Sequence, residues 1–475
     1  MSSQVRVLNT SHVRPVQTAG LSPPLQVEHK LSFLDVLQIR KTIQRLFFFE
    51  GPDLPPFPSI VTALRSSLAA TLAVFLPLAG ELAYRPDTGD VVIDSSPAAI
   101  SSSRGVKFVE AEFAGGADAM RRVARDDEHD AEAFAQLVPA LVTGSLPAPV
   151  LAVQVTRPAD GGAAVAVGVS IQHAVADGHA VWQFLGTWSA VSREGPAYLA
   201  AAAPGFVRPV FDRAGIRHPK SDELARDMLS KVAPALPMLR STSSSKPAEI
   251  VQQSTRTFLL RAGEILSLKQ HILEQSRTLN NLGGEPRNPP STYVAVTSLA
   301  WASIVRAKHL TMRDADDAHL VISADCRNRL RPPLGDGFFG NCVKACYARA
   351  GAGELRGEAS VARAAAAIRA AIRAGLEEEL EGGPLADAEG WTEAYAAIPK
   401  ERVVAVASSN RFMAYETDFG WGAPRRVEMA SSFAAQMVAL LGARDGAVQV
   451  SVALDAAAMG DFAANFVVPA PEVSG

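Results

Sequence analysis

Cysteine is scarce in this 475-residue chain, which has only Cys326, Cys342 and Cys346. Three is an odd number and all three lie late in the sequence, so a disulfide framework is excluded and a reducing compartment is favoured. The spacing Cys342-x-x-x-Cys346 has no second pair of ligands elsewhere, which argues against a zinc site. We therefore expect no bound metal.

An excess of positive charge is also missing. Lysine and arginine number 46 against 49 aspartates and glutamates, for a net charge of −3, and no basic run is interleaved with aromatic residues. This excludes the usual nucleic-acid binders. No stretch approaches the roughly 20 uninterrupted apolar residues of a membrane span, and the first residues lack the apolar core of a signal peptide. We expect a cytosolic protein that contacts neither nucleic acid nor membrane.

The length and the 48% apolar content indicate more than one hydrophobic core. The best boundary is the proline-rich and basic stretch 206–254, which contains the serine-rich segment 241–247. We therefore predict a first domain over residues 1–205, a crossover linker over 206–254, and a second domain over 255–475.

The most informative stretch is 165–181, VAVGVSIQHAVADGHAV. Apolar residues alternate up to His173, as in a strand, and helical spacing begins after Asp177-Gly178. A histidine at the exit of a buried strand suits acid–base chemistry. Two plainer interpretations stay open: His173 is a satisfied core residue, and Asp177 is only the N-cap of the next helix.

A second string, Asp418-Phe419-Gly420-Trp421-Gly422, lies far downstream. HxxxDG followed by DFGWG resembles the BAHD family of plant CoA-dependent acyltransferases, and residues 31–35 (LSFLD) resemble another block of that family. The resemblance implies an α/β fold of two similar chloramphenicol-acetyltransferase-like domains. Each is a mixed β-sheet flanked by helices, and a channel runs between them. It also implies a monomer, with a late segment around 435–457 completing the N-terminal sheet.

The resemblance implies that His173 is the base that deprotonates the acceptor, which then attacks the acyl-CoA thioester directly. A covalent acyl-serine is not expected, because Gly168-Val-Ser170 does not continue as a G-x-S-x-G elbow. Asp177 is expected to point away from the imidazole and to pair with Arg327 or Arg329, although a triad-like bond to His173 remains an alternative.

The glycines of the DFGWG string, Gly420 and Gly422, suit a tight turn. Asp418, Phe419 and Trp421 are therefore expected to have a structural role that maintains this turn. A direct catalytic part for Asp418 is the lesser alternative, and Gly178 is assigned to the shape of the HxxxDG string.

Resemblance to malonyl-type members places CoA contacts at Lys269, Ser291 and Thr292. A P-loop is absent, since residues 281–284 (NLGG) lack the GK[ST] ending. The plainer interpretation is that Lys269 is a solvated helix residue and Ser291 an N-cap. No cofactor is expected to be bound permanently; acyl-CoA is the co-substrate.

The segment 338–342 (FFGNC) resembles a block of the malonyltransferase branch, which acts on anthocyanins and phenolic glucosides. Malonyl-using members typically carry Arg or Lys directly after HxxxDG, where this chain has His179. We predict transfer of an acyl group, malonyl first, to a hydroxyl of a flavonoid or phenolic glycoside. An uncharged acyl donor, a hydroxycinnamoyl-CoA-dependent O- or N-acyltransferase, and a non-catalytic small-molecule-binding member stay open.

Overall fold

The computed structural model describes residues 4–16, 26–200, 204–239, 253–279, 288–376, 383–431 and 435–468. The serine-rich segment 241–247 and the NLGG segment 281–284 lie outside these ranges.

Within the described residues there are sixteen strands and thirteen α-helices, each numbered in chain order. The strands β1 to β16 are Val5–Val13, Glu28–Lys30, Thr42–Glu50, Glu81–Arg85, Asp90–Asp94, Val106–Phe113, Ala148–Pro149, Leu151–Pro158, Ala164–Gln172, Gln253–Leu260, Asp317–Asp325, Val343–Gly351, Val403–Met413, Arg426–Glu428, Met437–Gly442 and Val448–Asp455. The helices α1 to α13 are Phe33–Val36, Phe57–Leu72, Pro97–Ser103, Gly116–Arg125, Ala131–Leu137, Gly178–Glu194, Ser221–Val232, Ala262–Leu279, Thr292–Ala307, Ala352–Arg356, Ser360–Leu376, Trp391–Ala396 and Ala456–Asn465.

Two six-stranded sheets organise these elements. The first has the order β1-β6-β8-β9-β3-β14, and the second has the order β10-β16-β15-β13-β11-β12. Both mix parallel and antiparallel pairs, and a small antiparallel sheet, β2-β5-β4-β7, accompanies the first. The predicted α/β architecture of two domains, each a mixed sheet with helices, is confirmed.

Strand β9 lies in the middle of the first sheet, and all nine of its residues are buried. Its Val165, Val167, Val169 and Ile171 face a core shared with α2 and α6, whereas Ala164 and Ala166 belong to a smaller core on the other side. A strand that is covered on both faces reads as a nearly continuous apolar run, as this one does.

The prediction that residues 435–457 complete the first sheet is wrong. Strands β15 and β16 form an antiparallel pair inside the second sheet, where β15 also runs parallel to β13. The short strand β14 makes the crossing instead, by pairing with Phe48 and its neighbours in β3. Its buried Glu428 accepts hydrogen bonds from Thr257 of β10 and Ser451 of β16, so it joins the first sheet to the second.

The interval 206–254 is more than a linker, because it contains α7. This helix packs against α1, and its Leu224, Ala225, Met228 and Leu229 lie in the first core. The apolar residues of 221–232 recur at helical spacing, which outweighs the proline-rich composition on either side.

The first core also takes in side chains from the second half of the chain, among them Cys326, Phe338, Phe339 and Phe419. The loop segment that follows β9 is therefore enclosed by residues of both domains. None of the described helices combines the length and apolar character that crossing a membrane requires.

Candidate active site

His173 is the first residue beyond β9, and its backbone is held on both sides. Its N–H donates to the carbonyl of Lys41 at 2.9 Å, and its carbonyl accepts from Nδ2 of Asn341 at 2.9 Å. The imidazole continues the face of Val169 and Ile171, but it is half-buried where they are fully buried. The alternation along β9 therefore carries a titratable ring to the junction between the two domains.

The surroundings of His173 favour the neutral imidazole. Enclosure by protein lowers the pKa of His173 to about 4, repulsion from Lys41 and Arg45 acts in the same direction, and Asp177 opposes it. A neutral ring nitrogen accepts protons, so near neutral pH this side chain is in the form that a general base requires.

Asp177 is held in place by two backbone N–H groups and by an arginine. It caps α6 by accepting from the Ala180 N–H at 3.1 Å, and it accepts from the Cys342 N–H at 3.0 Å. The two terminal guanidinium nitrogens of Arg327, Nη1 and Nη2, each lie 2.9 Å from one of its carboxylate oxygens. Burial alone would raise the pKa of Asp177, but Arg327 and these N–H groups hold it below the ordinary value.

The arginine that pairs with Asp177 is Arg327. Its side chain is fully buried, and it also donates to the carbonyl of Gly340 at 3.1 Å. Arg329 is exposed and donates to the carbonyl of Asp325. The buried pair thus ties the HxxxDG string of the first domain to the FFGNC segment of the second.

Asp35, Arg213 and Asn341 form a second buried group that sequence reasoning missed as functional residues. Oδ1 of Asp35 accepts from the backbone N–H and from Nδ2 of Asn341, at 3.0 and 2.9 Å. Arg213 contacts Asp35 at 3.4 Å and the carbonyl of Val175 at 3.3 Å. Asn341 thereby positions the backbone of His173. The LSFLD and FFGNC blocks of the sequence could have pointed to this group, because they contain Asp35 and Asn341.

The DFGWG turn lies elsewhere. Oδ1 of Asp418 accepts from the N–H groups of Gly420 and Gly422 at 2.8 and 2.9 Å, and both glycines have positive φ. Phe419 is buried against Trp188 in the second half of α6, with ring centres 4.9 Å apart. Asp418 thus closes a turn that docks on α6.

The residues expected to contact CoA lie beside the second sheet. Lys269 is half-buried on α8, and Ser291 is an exposed N-cap whose hydroxyl accepts from the Val294 N–H at 3.3 Å. Thr292 opens α9 and is half-buried. The N-cap interpretation of Ser291 therefore holds, and a CoA contact at these three residues stays a prediction.

His179 lies in the first turn of α6. One ring nitrogen, Nε2, is 3.2 Å from the carbonyl oxygen of Asp336, so as a donor it satisfies that backbone group. Next to it, Gly178 allows a close approach: a Cβ there would stand 3.0 Å from the Phe412 ring.

A cavity of about 700 Å³ lies beside Arg213. His29, Phe33, Phe211 and His218 are among its lining residues, and His173 is not. Burial and the neighbouring Arg213 lower the pKa of His29 to about 4. The cavity is polar enough and large enough for a small molecule, but it does not reach the imidazole of His173.

The described residues contain no group of three His, Cys, Asp or Glu side chains placed to hold a metal ion. All three cysteines are free and buried, and burial raises the pKa of Cys326 to about 12. A thiol with so high a pKa is a poor nucleophile near neutral pH.

Residues 11–468 match the sequence model of the Transferase family. The chain is 30% identical over 445 residues to phenolic glucoside malonyltransferase 1 of Bemisia tabaci, covering 90% of this chain and 88% of that protein. It is 27% identical over 450 residues to malonyl-coenzyme:anthocyanin 5-O-glucoside-6'''-O-malonyltransferase of Salvia splendens, covering 91% and 87%. Among solved structures, vinorine synthase superposes with a TM-score of 0.69 at 20% identity, covering 96% of each chain.

Proposed function

Because this chain belongs to the Transferase family, the BAHD acyl-CoA acyltransferases, we propose that it transfers a malonyl group from malonyl-CoA to a sugar hydroxyl of a phenolic or flavonoid glucoside. The observation that carries the proposal is the placement of His173, a half-buried imidazole at the end of β9 whose backbone is fixed from both domains.

In the proposed reaction His173 takes the proton of the acceptor hydroxyl as its oxygen attacks the thioester carbonyl. The tetrahedral intermediate then collapses, the C–S bond breaks, and the imidazolium returns the proton to the leaving CoA sulfur. A thioester is already activated, so one positioned base suffices, and such a base typically contributes about 10²–10⁴-fold to the rate. Asp177 is a positioning residue here, since its carboxylate is committed to Arg327 and to two backbone N–H groups.

Malonyl-CoA and a glucoside acceptor are proposed from two lines of support. Relatives that match over most of this chain are named malonyltransferases of phenolic glucosides and anthocyanins, and the FFGNC block resembles that branch. Lys269, Ser291 and Thr292 are the proposed CoA contacts. We place the protein in the cytosol as a monomer, a setting that the free thiols of its cysteines suit.

A second candidate function is hydroxycinnamoyl transfer to a hydroxyl or an amine. It is favoured by His179, which stands where malonyl-using members typically carry Arg or Lys, and whose ring contacts the carbonyl of Asp336. The ring nitrogen in that contact is committed to a backbone carbonyl rather than to a malonyl carboxylate.

The test is a donor screen on the purified protein. Malonyl-CoA, acetyl-CoA and p-coumaroyl-CoA are each mixed with a panel of phenolic glucosides and amines, free thiol release is followed, and products are identified by mass spectrometry. Heat-inactivated protein is the control. Malonylated glucosides as the main product support the proposal, and coumaroyl esters or amides support the second candidate. If no donor gives thiol release, the proposal is wrong and the protein is a non-catalytic, small-molecule-binding member of the family.

A further inference from the structure

Charged side chains around His173 fall into two groups. The first group is neutralised: Asp177 pairs with Arg327, and Asp35 pairs with Arg213. The second group is Lys41 and Arg45, whose side chains donate to neutral oxygens and make no ion pair with any residue in the described ranges. The surroundings of His173 therefore carry two cations that no carboxylate of the described residues balances.

Lys41 stands directly opposite His173. Strands β3 and β9 are antiparallel with Thr42 facing Gln172, and the His173 N–H to Lys41 carbonyl bond of 2.9 Å extends the ladder by one step. Opposed residues of an antiparallel pair share a face, with Cβ atoms about 5 Å apart. The lysine side chain is exposed, and its ammonium donates to the neutral amide of Gln38 at 3.0 Å.

Arg45 lies on the same face of β3, opposite Val169. It is only 3% exposed, its Nη1 donates to the carbonyl of Gln44, and its guanidinium carbon is 5.9 Å from the centre of the Trp182 ring. Its Nε is buried without a hydrogen-bond partner among the described residues. Burial of a cation without a counter-charge is unfavourable in proteins, so an anionic ligand beside it would be stabilised.

We propose that Lys41, supported by Arg45 on the same face of β3, binds the free carboxylate of a dicarboxylic acyl-CoA such as malonyl-CoA. Lys41 would take this role in place of the residue that follows HxxxDG. A single methylene separates the malonyl carboxylate from the thioester carbonyl. A cation that neighbours the base is therefore within reach of that carboxylate when the carbonyl is placed for attack. The ring of His179 is occupied by the carbonyl of Asp336. This inference rests on the proposed acyl transfer and names the group that selects its donor.

The experiment compares malonyl-CoA with acetyl-CoA, which has the same thioester without the carboxylate. Binding of each to the full chain is measured by calorimetry without acceptor, and kcat/KM is measured with the best acceptor of the donor screen. The variants are Lys41→Gln, Lys41→Arg and Arg45→Gln, and Lys400→Gln removes an exposed lysine that lies outside the site. Thermal melting of each variant identifies any that fail to fold.

We expect Lys41→Gln to lower the preference for malonyl-CoA over acetyl-CoA by roughly 10- to 100-fold, the range of a lost charge-assisted hydrogen bond. Lys41→Arg should retain the preference within about threefold, because the charge is kept, and Lys400→Gln should leave it unchanged. A preference that survives Lys41→Gln, or a parallel loss with both donors, overturns the inference.

The calorimetric arm separates this inference from the proposed function. If the wild type releases CoA from acetyl-CoA or p-coumaroyl-CoA but binds malonyl-CoA no more tightly than acetyl-CoA, acyl transfer stands and the carboxylate site is refuted. If no donor releases CoA, the proposed function fails, while a malonyl-CoA affinity that depends on Lys41 would still establish the site.

Discussion

Replacing Asp177 by asparagine tests the positioning role of this carboxylate most sharply. The change removes the charge that balances Arg327, whose side chain is fully buried. What remains for that guanidinium is Asp325, itself 49% exposed, and the carbonyls of Phe338 and Gly340. Removal of one partner of a buried ion pair typically destabilises a protein by about 3–5 kcal/mol. We expect a loss of that size in the free energy of unfolding of Asp177→Asn.

Two further variants make the measurement interpretable. Asp325→Asn removes the exposed partner of the same arginine and should change the free energy of unfolding by about 1 kcal/mol or less. The double variant Asp177→Asn with Arg327→Met removes both buried charges, and it should recover at least about 2 kcal/mol relative to the sum of the single losses.

The assay is urea unfolding of five proteins, which are the wild type, the three variants above and the single variant Arg327→Met that the sum of single losses requires. Thiol release from acyl-CoA by the folded fraction is then measured for each. We expect turnover to fall with stability in Asp177→Asn and to return in part in the double variant. An Asp177→Asn protein that unfolds like the wild type and yet has no turnover would refute the positioning role and place the carboxylate in the chemistry.

Three more outcomes follow from the same structure. Because burial and Lys41 lower the pKa of His173 to about 4, the acid limb of kcat/KM should fall near pH 4, and a limb near the ordinary pKa of about 6.5 would contradict this. Burial alone would raise the pKa of Glu428, but His129 and Arg426 lower it to about 2. Because its pKa is depressed, ionised Glu428 adds about 3 kcal/mol to the free energy of unfolding at pH values above its unfolded-state pKa. This contribution is lost as the pH falls towards 2. Glu428→Gln should flatten that acid dependence of the urea midpoint, and an unchanged profile would contradict it. Asp418→Ala should lower the unfolding free energy by about 1–2 kcal/mol, through two lost bonds to glycine N–H groups. The kcat/KM of this variant per folded molecule should equal that of the wild type. A variant that is as stable as the wild type but has lost turnover would contradict the role of Asp418 in closing the turn.

The sequence predicts the local part of the site well. Alternation up to His173 and helical spacing after Asp177 locate strand β9, the turn and α6 within a few residues. These features depend on neighbours in the chain, so their periodicity is visible without any knowledge of the fold.

The long-range part could not be predicted. Asn341 reaches Asp35 and the carbonyl of His173, and strand β14 leaves the second half of the chain to pair with β3. Such pairings join residues far apart in sequence and leave no period. Lys41 is the clearest case: nothing local indicates that β3 is the strand beside β9, so its place opposite His173 emerges only from the register.

The most direct measurement is the rate of CoA release by His173→Ala, compared with the wild type at saturating acyl-CoA and acceptor. If the imidazole is the base, turnover falls by at least about 100-fold, while the melting temperature and the affinity for acyl-CoA stay near those of the wild type. A His173→Ala protein that releases CoA at the wild-type rate would contradict the proposed mechanism.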